Sequence, residues 1–280
     1  MKNGSSEKTI LDRIVAARRE SVAHRKHAVP EVPLRMAVKD QEPARDFAAA
    51  LAKDGCNVIA ELKKASPSLG LIREDYRPGE LAPRLEAAGA AVLSVLTEEE
   101  FFQGSLLHLK QAKKAVSIPI LRKDFIIDSW QVWEARAEGA DSFLLIVAIL
   151  SDGLLGDLLS LGRELGMEPL VEVHSREELE RAKRTGARII GVNNRDLRDF
   201  RVSLDTSLDL IQHIPDDAVA VSESGLSTSE DLARLRDAGF DAFLIGERLM
   251  KQPDPATALR ELIQPANANR SSVGASLRGA

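Results

Sequence analysis

Residues 168–193 read EPLVEVHSREELERAKRTGARIIGVN. The stretch opens and closes on short apolar, largely β-branched runs, and a charged, helix-forming segment joins them. In the first run Leu170, Glu172 and His174 share one face and Val171 and Val173 the other, because side chains alternate along a strand. A helix is expected over 176–184. Thr185 and Gly186 then mark its end, since glycine takes the left-handed conformation that closes a helix and releases the next strand. Strand, helix, glycine turn and strand in that order bring the two strands together in parallel.

The same rhythm extends in both directions. Strands are expected at 58–63, 91–97, 118–122, 142–147, 168–174, 188–193, 218–222 and 242–246. Helices fall between and after them, near 80–88, 105–116, 130–138, 153–165, 176–184, 204–212, 229–238 and 256–263. Eight such units in 280 residues point to an α/β fold, a closed (β/α)8 TIM barrel. An open doubly wound sheet is the alternative, but no Gly-x-Gly-x-x-Gly turn follows the first strand. Ahead of the barrel, a helix over about 7–23 gives way to a looser stretch holding Pro30, Pro33 and Pro43, with helix again near 46–53. The chain thus divides into an additional N-terminal helical segment (1–56), the barrel (57–264) and a disordered tail (265–280) rich in Ala, Asn, Arg, Ser and Gly.

Composition narrows the function classes. Hydrophobic residues make up 44% and charged residues 29%, which describes a globular domain with a large core. A net charge of −5 argues against nucleic acid as the partner, while a phosphorylated small molecule needs only a local positive site. Cys56 is the one cysteine, so an intrachain disulfide and a cysteine metal cluster are excluded, and a reducing compartment, the cytoplasm, is expected. The N-terminal MKNGSSEKTILDRIVAARRE has no apolar stretch of signal-peptide type. The most apolar run, FLLIVAIL at 143–150, is far short of the roughly 20 residues that span a bilayer, so no membrane partner is expected. No His, Asp and Glu spacing suggests a metal site, and oligomeric state stays open, with a monomer as the default.

In a barrel, inward-facing polar residues need a reason, and catalytic groups sit at the C-terminal strand ends. Parity places Glu61 and Lys63 inward with Ile59, and Glu172 and His174 inward with Leu170. Lys123 ends the third strand, Asn193 the sixth, and Glu223, Ser224 and Gly225 close the seventh. Burying a lone charge costs several kcal/mol or more, so these groups must pair or face a ligand. Two lysines and up to three glutamates can supply both an acid and a base. A structural ion-pair network at the mouth is the competing reading. His174 is taken as structural, because no specific partner for it is evident. Gly225 and Gly246, after the seventh and eighth strands, suit the close backbone approach of a phosphate, with Lys63 adding a charge.

These segments carry a resemblance. AELKKASPS (60–68), LTEEEFFQGS (96–105), PILRKDF (119–125), PLVEVH (169–174), GVNNRDL (191–197), VSESGL (221–226) and FLIG (243–246) occur in the order found in the indole-3-glycerol-phosphate synthase family, which the chain resembles over about 7–263. The resemblance implies a lyase of tryptophan biosynthesis that needs no cofactor. It would close the ring of 1-(2-carboxyphenylamino)-1-deoxyribulose 5-phosphate with loss of carbon dioxide and water. It implies Lys123 as general acid, Glu172 as general base, Lys63 as a substrate-contacting lysine, and Glu61 and Asn193 as orienting groups. Arg195, Glu223 and Ser224 match further site positions, Ser66, Gly225 and Gly246 the phosphate side, and Phe102 and Phe125 aromatics beside the anthranilate ring. Core packing is the competing reading for the two phenylalanines. Two positions depart from some relatives. Glu247 stands in place of a small hydroxyl residue and is expected to point outward, away from the phosphate, and Ala148 stands in place of a lysine. Two rivals are a phosphoribosylanthranilate isomerase and a non-catalytic phosphate-binding barrel. The first would use a Cys/Asp-type pair, and Cys56 sits at the wrong end of the first strand. The second would lack Lys123 or Glu172.

Overall fold

The computed structural model describes residues 9–196 and 201–268. Three helices precede the first strand: α1 (Ile10–Ala28), α2 (Glu31–Lys39) and α3 (Phe47–Leu51). After β1 (Asn57–Leu62) comes a small antiparallel hairpin of β2 (Ala65–Ser66) and β3 (Gly70–Leu71), then α4 (Pro78–Ala87). The chain continues through β4 (Val92–Leu96), α5 (Leu106–Ala115), β5 (Ile120–Lys123), α6 (Ser129–Ala137), β6 (Ser142–Ile146) and α7 (Asp152–Glu164). It then forms β7 (Leu170–Val173), α8 (Arg176–Arg184), β8 (Ile189–Asn193), α9 (Asp205–Leu210), β9 (Val219–Glu223) and α10 (Ser229–Asp237). β10 (Ala242–Ile245), α11 (Glu247–Met250) and α12 (Pro255–Ala268) complete the described chain. β1 pairs in parallel with both β4 and β10, so eight strands close the expected (β/α)8 barrel.

Strand alternation sorts the apolar residues into two cores. Ile59, Val92, Leu121, Leu144, Leu170, Ile189, Val221 and Leu244 fill the inside, together with Phe47 and Leu51 of α3. The Asn57 amide donates to the carbonyls of Leu51 and Lys53 at 2.8 and 2.7 Å, which ties α3 to the start of β1. That helix therefore stoppers the barrel at the strands' N-terminal end. The alternate residues, such as Val58, Ala60, Val171 and Val173, pack outward against the helices. Burial of this kind contributes about 1.5–3 kcal/mol for each large aliphatic side chain. The turn after α8 uses Gly186 at φ +74°, as its sequence required.

Four readings change. α1 runs to Ala28, beyond the expected end near 23. The proline-bearing stretch is a helix: Pro30 caps α2 and Pro33 lies in its first turn, where a missing N–H breaks no intrahelical bond. α12 continues past Pro265 to Ala268, with Ala266 buried and its carbonyl accepting from Arg236. The β2–β3 hairpin, too short to show as a pattern, was not anticipated. Residues 1–8, 197–200 and 269–280, and with them the expected start of α1 at Glu7, Leu197 of the GVNNRDL motif and most of the tail, lie outside the described residues. No described helix is long and apolar enough to cross a membrane.

Candidate active site

The mouth of the barrel opens into a cavity of about 560 Å³ at the C-terminal ends of the strands. Glu61, Lys63, Ser66, Phe102, Lys123, Phe125, Glu172, Asn193, Arg195, Glu223, Ser224, Gly225 and Gly246 all line it, so every site residue expected from the sequence is brought to one place. Residue parity is the reason for those carried by the barrel strands and their immediate ends. Each strand whose even or odd set fills the barrel floor delivers the next residue of that set to the mouth.

Lys123 stands at the centre. Its Nζ lies 2.9 Å from Glu172 Oε2 and 2.7 Å from Glu223 Oε2. Both glutamates are almost fully buried. Burial alone would drive the proton off Lys123, but Glu172, Glu223 and Glu61 outweigh it and hold the ammonium well above the ordinary lysine range. The carboxylates split. Desolvation acts against Glu172, yet Lys123, His174 and a hydrogen bond from Asn193 keep it ionised, down to about 2. Desolvation, opposed by Lys123 but reinforced by the neighbouring Glu172, pushes Glu223 up to about 7. One firmly ionised carboxylate beside one that titrates near neutrality is an arrangement in which acid and base chemistry can be divided.

Local structure places these groups. The Asn193 side-chain Oδ1 accepts from the Arg195 backbone N–H at 3.0 Å, which turns the side-chain NH2 toward Glu172. Gly191 leaves room for Glu223: a Cβ there would stand 2.2 Å from its Oε1, an atom that is buried with no hydrogen-bond partner. Gly246 does the same for Glu61, whose Oε2 would meet a Cβ at 2.1 Å. Glu61 in turn holds Lys63 at 2.7 Å. On the other wall Glu98, itself buried, accepts from the N–H groups of Glu100, Phe101 and Phe102 at 3.0, 2.8 and 3.0 Å. That turn sets the Phe102 ring 6.1 Å from Phe125 and tilted by 40°. At the far side Ser224 takes φ +66° and Gly225 φ +79°, a bend that exposes backbone toward the cavity.

Several participants were missed. Ile10, Leu11 and Ile14 of α1 form part of the cavity wall, so the N-terminal segment belongs to the site. Helical spacing was the only available signal, and it names no partner. Lys251 and Arg248 also line the cavity and read as ordinary helix-surface cations. His174 is not without a partner: its Nδ1 lies 3.1 Å from Glu178 and its Nε2 3.4 Å from Glu172. Glu247 does not point outward. It lines the cavity, drawn in by Arg195 at 3.2 Å and Lys251 at 2.8 Å. Ala148 is exposed and off the cavity. Cys56 is buried just ahead of β1, at the end opposite the mouth, and burial pushes its thiol up to about 11.

Fold and mouth together define a barrel enzyme in which ammonium and carboxylate groups converge in one largely apolar cavity. A family model described as indole-3-glycerol phosphate synthase matches residues 11–262, and the chain belongs to that family. The protein of that name from Laribacter hongkongensis is 48% identical over 258 residues, covering 90% of this chain and 98% of its own. Its counterpart from Albidiferax ferrireducens is 46% identical over 261 residues, covering 92% and 99%. Among solved structures, 3-hexulose-6-phosphate synthase from Salmonella typhimurium aligns with a TM-score of 0.61 at 14% identity, over 75% of this chain and 98% of that one, a likeness of fold alone.

Proposed function

We propose that this chain converts 1-(2-carboxyphenylamino)-1-deoxyribulose 5-phosphate to indole-3-glycerol phosphate, with release of carbon dioxide and water, as a step of tryptophan biosynthesis. The observation that carries the reading is the convergence of Lys123 with Glu172 and Glu223 in one cavity that has aromatic and aliphatic walls at one side and a cationic end at the other. The anthranilate ring packs beside Phe102 and Phe125, and the phosphate lies toward Ser224, Gly225, Gly246 and Lys63.

Lys123 donates its proton to the ribulose carbonyl oxygen, which makes the carbonyl carbon electrophilic as the ring carbon attacks it. The bond formed carries the ring out of aromaticity. Loss of its carboxylate as carbon dioxide restores aromaticity and needs no electron sink from outside. An apolar wall favours that loss, because it disfavours the carboxylate charge. Glu172 then takes a proton from the methylene carbon beside the nitrogen while Lys63 protonates the new hydroxyl, which leaves as water and gives the indole. Glu61 and Asn193 orient these groups, and Lys63 contacts the substrate. A chain with one cysteine, Cys56, suits the reducing cytoplasm.

The test is direct. Folded protein mixed with the substrate develops indole absorbance and fluorescence. Silence from a protein with a normal unfolding transition sinks this reading. A weak or absent product with a signal from phosphoribosylanthranilate would favour the isomerase instead.

A further inference from the structure

The cationic end of the cavity already holds an anion, and it comes from this chain. Glu247, the first residue of α11, pairs with Arg195 just beyond β8 and with Lys251 one turn further along, at 3.2 and 2.8 Å. Lys63 lies close enough for its charge to act on the same carboxyl. Burial works to protonate Glu247, but Lys251, Arg195 and Lys63 outweigh it and keep the carboxyl below its ordinary range. All four residues line the one cavity.

These pairs differ from the buried ones around Lys123. The side chains of Glu247, Arg195 and Lys251 are 32%, 25% and 47% exposed. Ion pairs with that much solvent contact contribute little net stability and break at little cost. The carboxylate therefore holds the cations in register without locking them. A substrate phosphate entering this end would face the same three cations with a carboxylate between them, and two anions sharing one cluster repel at such distances.

We infer that Glu247 is a resident counter-anion, which the phosphate of the substrate displaces to take over Arg195 and Lys251. Glu247 is then a determinant of phosphate affinity that acts by competition. Lys251 is a phosphate-binding residue whose strength is masked until the carboxylate turns away. The inference rests on the reading of this cavity as the site of a phosphorylated substrate.

Titration calorimetry of the full chain with inorganic phosphate at neutral pH and low salt tests it. Glu247→Gln keeps the shape and removes the charge, so it should bind phosphate about tenfold more tightly than the unsubstituted protein. Lys251→Met should weaken binding modestly on its own, and by about tenfold in the Glu247→Gln background, where the ammonium is no longer shared. Equal or weaker binding by Glu247→Gln overturns the inference, because the carboxylate would then be arranging the cations for phosphate. Failure of both proteins to bind phosphate overturns the inference together with the substrate reading of the cavity. Unchanged binding in the variant overturns the inference alone.

Discussion

Strand β5 delivers charge to two places. Its last residue, Lys123, points into the mouth and meets Glu172 and Glu223. Arg122, before it, turns the other way, and Asp124, after it, reaches from the cavity wall back toward Arg122. Arg122 is wholly buried between barrel and helices, 2.9 Å from Asp124 and 2.9 Å from Glu134. Asp124 also takes a hydrogen bond from Thr97 at 2.6 Å and an ion pair from Arg18 of α1, while Arg25 of the same helix pairs with Glu134. The two clusters have nearly the same chemistry: buried cations held between buried carboxylates. They differ in what remains open. Arg18, Arg122 and Glu134 stand off the cavity and face only protein, so their charges can do nothing but hold α1 and α6 to the strand. The inner cluster faces a space of about 560 Å³. A buried ion pair is structural or catalytic according to whether a substrate can reach it.

The largest expected effect comes from the inner cluster. Lys123→Ala should lower kcat by about 10³-fold or more with KM little changed, as loss of a general acid does. Near-normal turnover would end the claim that the inner cluster is catalytic. The outer cluster should fail in the other currency. Arg18→Met removes one partner of a buried pair and should cost about 3–5 kcal/mol of stability in denaturant unfolding. If stability were unchanged and only kcat fell, the division between the clusters would be wrong. Gly191→Ala drives a methyl into the space of Glu223 and should cost about 10²-fold in kcat/KM, the usual scale for displacing a catalytic group, with a smaller loss of stability.

Acid titration sharpens the comparison with a smaller effect. Desolvation acts to raise Asp124, but Arg18 and Arg122 hold it below its ordinary 3.8, so its contribution is present above that pH and is lost as pH falls toward the folded value. Glu172 behaves in the same sense. Glu223 opposes both: raised from 4.5 to about 7, it favours the fold below 4.5 and loses that contribution as pH rises through 7. Glu223→Gln should therefore remove a decline in stability between about pH 4.5 and 7 while leaving the acid loss in place, measured by thermal unfolding across that range. An unchanged profile would mean that Glu223 titrates as an ordinary carboxyl.

Much of the site was legible because barrel geometry is periodic. Glu61, Glu172 and Glu223 are each one step of two beyond an apolar inward residue, Ile59, Leu170 and Val221, and Asn193 is two such steps beyond Ile189, so the mouth position follows from counting. The outer cluster was not legible. Arg18 and Asp124 are 106 residues apart, and nothing in either neighbourhood names the other. The same holds for Glu247, whose charge argued for an outward orientation until Arg195, 52 residues away, was seen to draw it in. The role of Gly191 was equally hidden, since a strand glycine has many uses and only the carboxylate facing it shows which one applies.

By itself the sequence determined the order of strands and helices, the parity of each strand and the identity of the charged groups that had to gather at one end. Those are local properties, set by the period of the backbone and the cost of burying a charge. Closure of the barrel decided the rest: which carboxylate meets which cation, which of them a substrate can reach, and that α1 walls the site it precedes. Such pairings join residues far apart in the chain, and their energies depend on distances that exist only once the chain has folded.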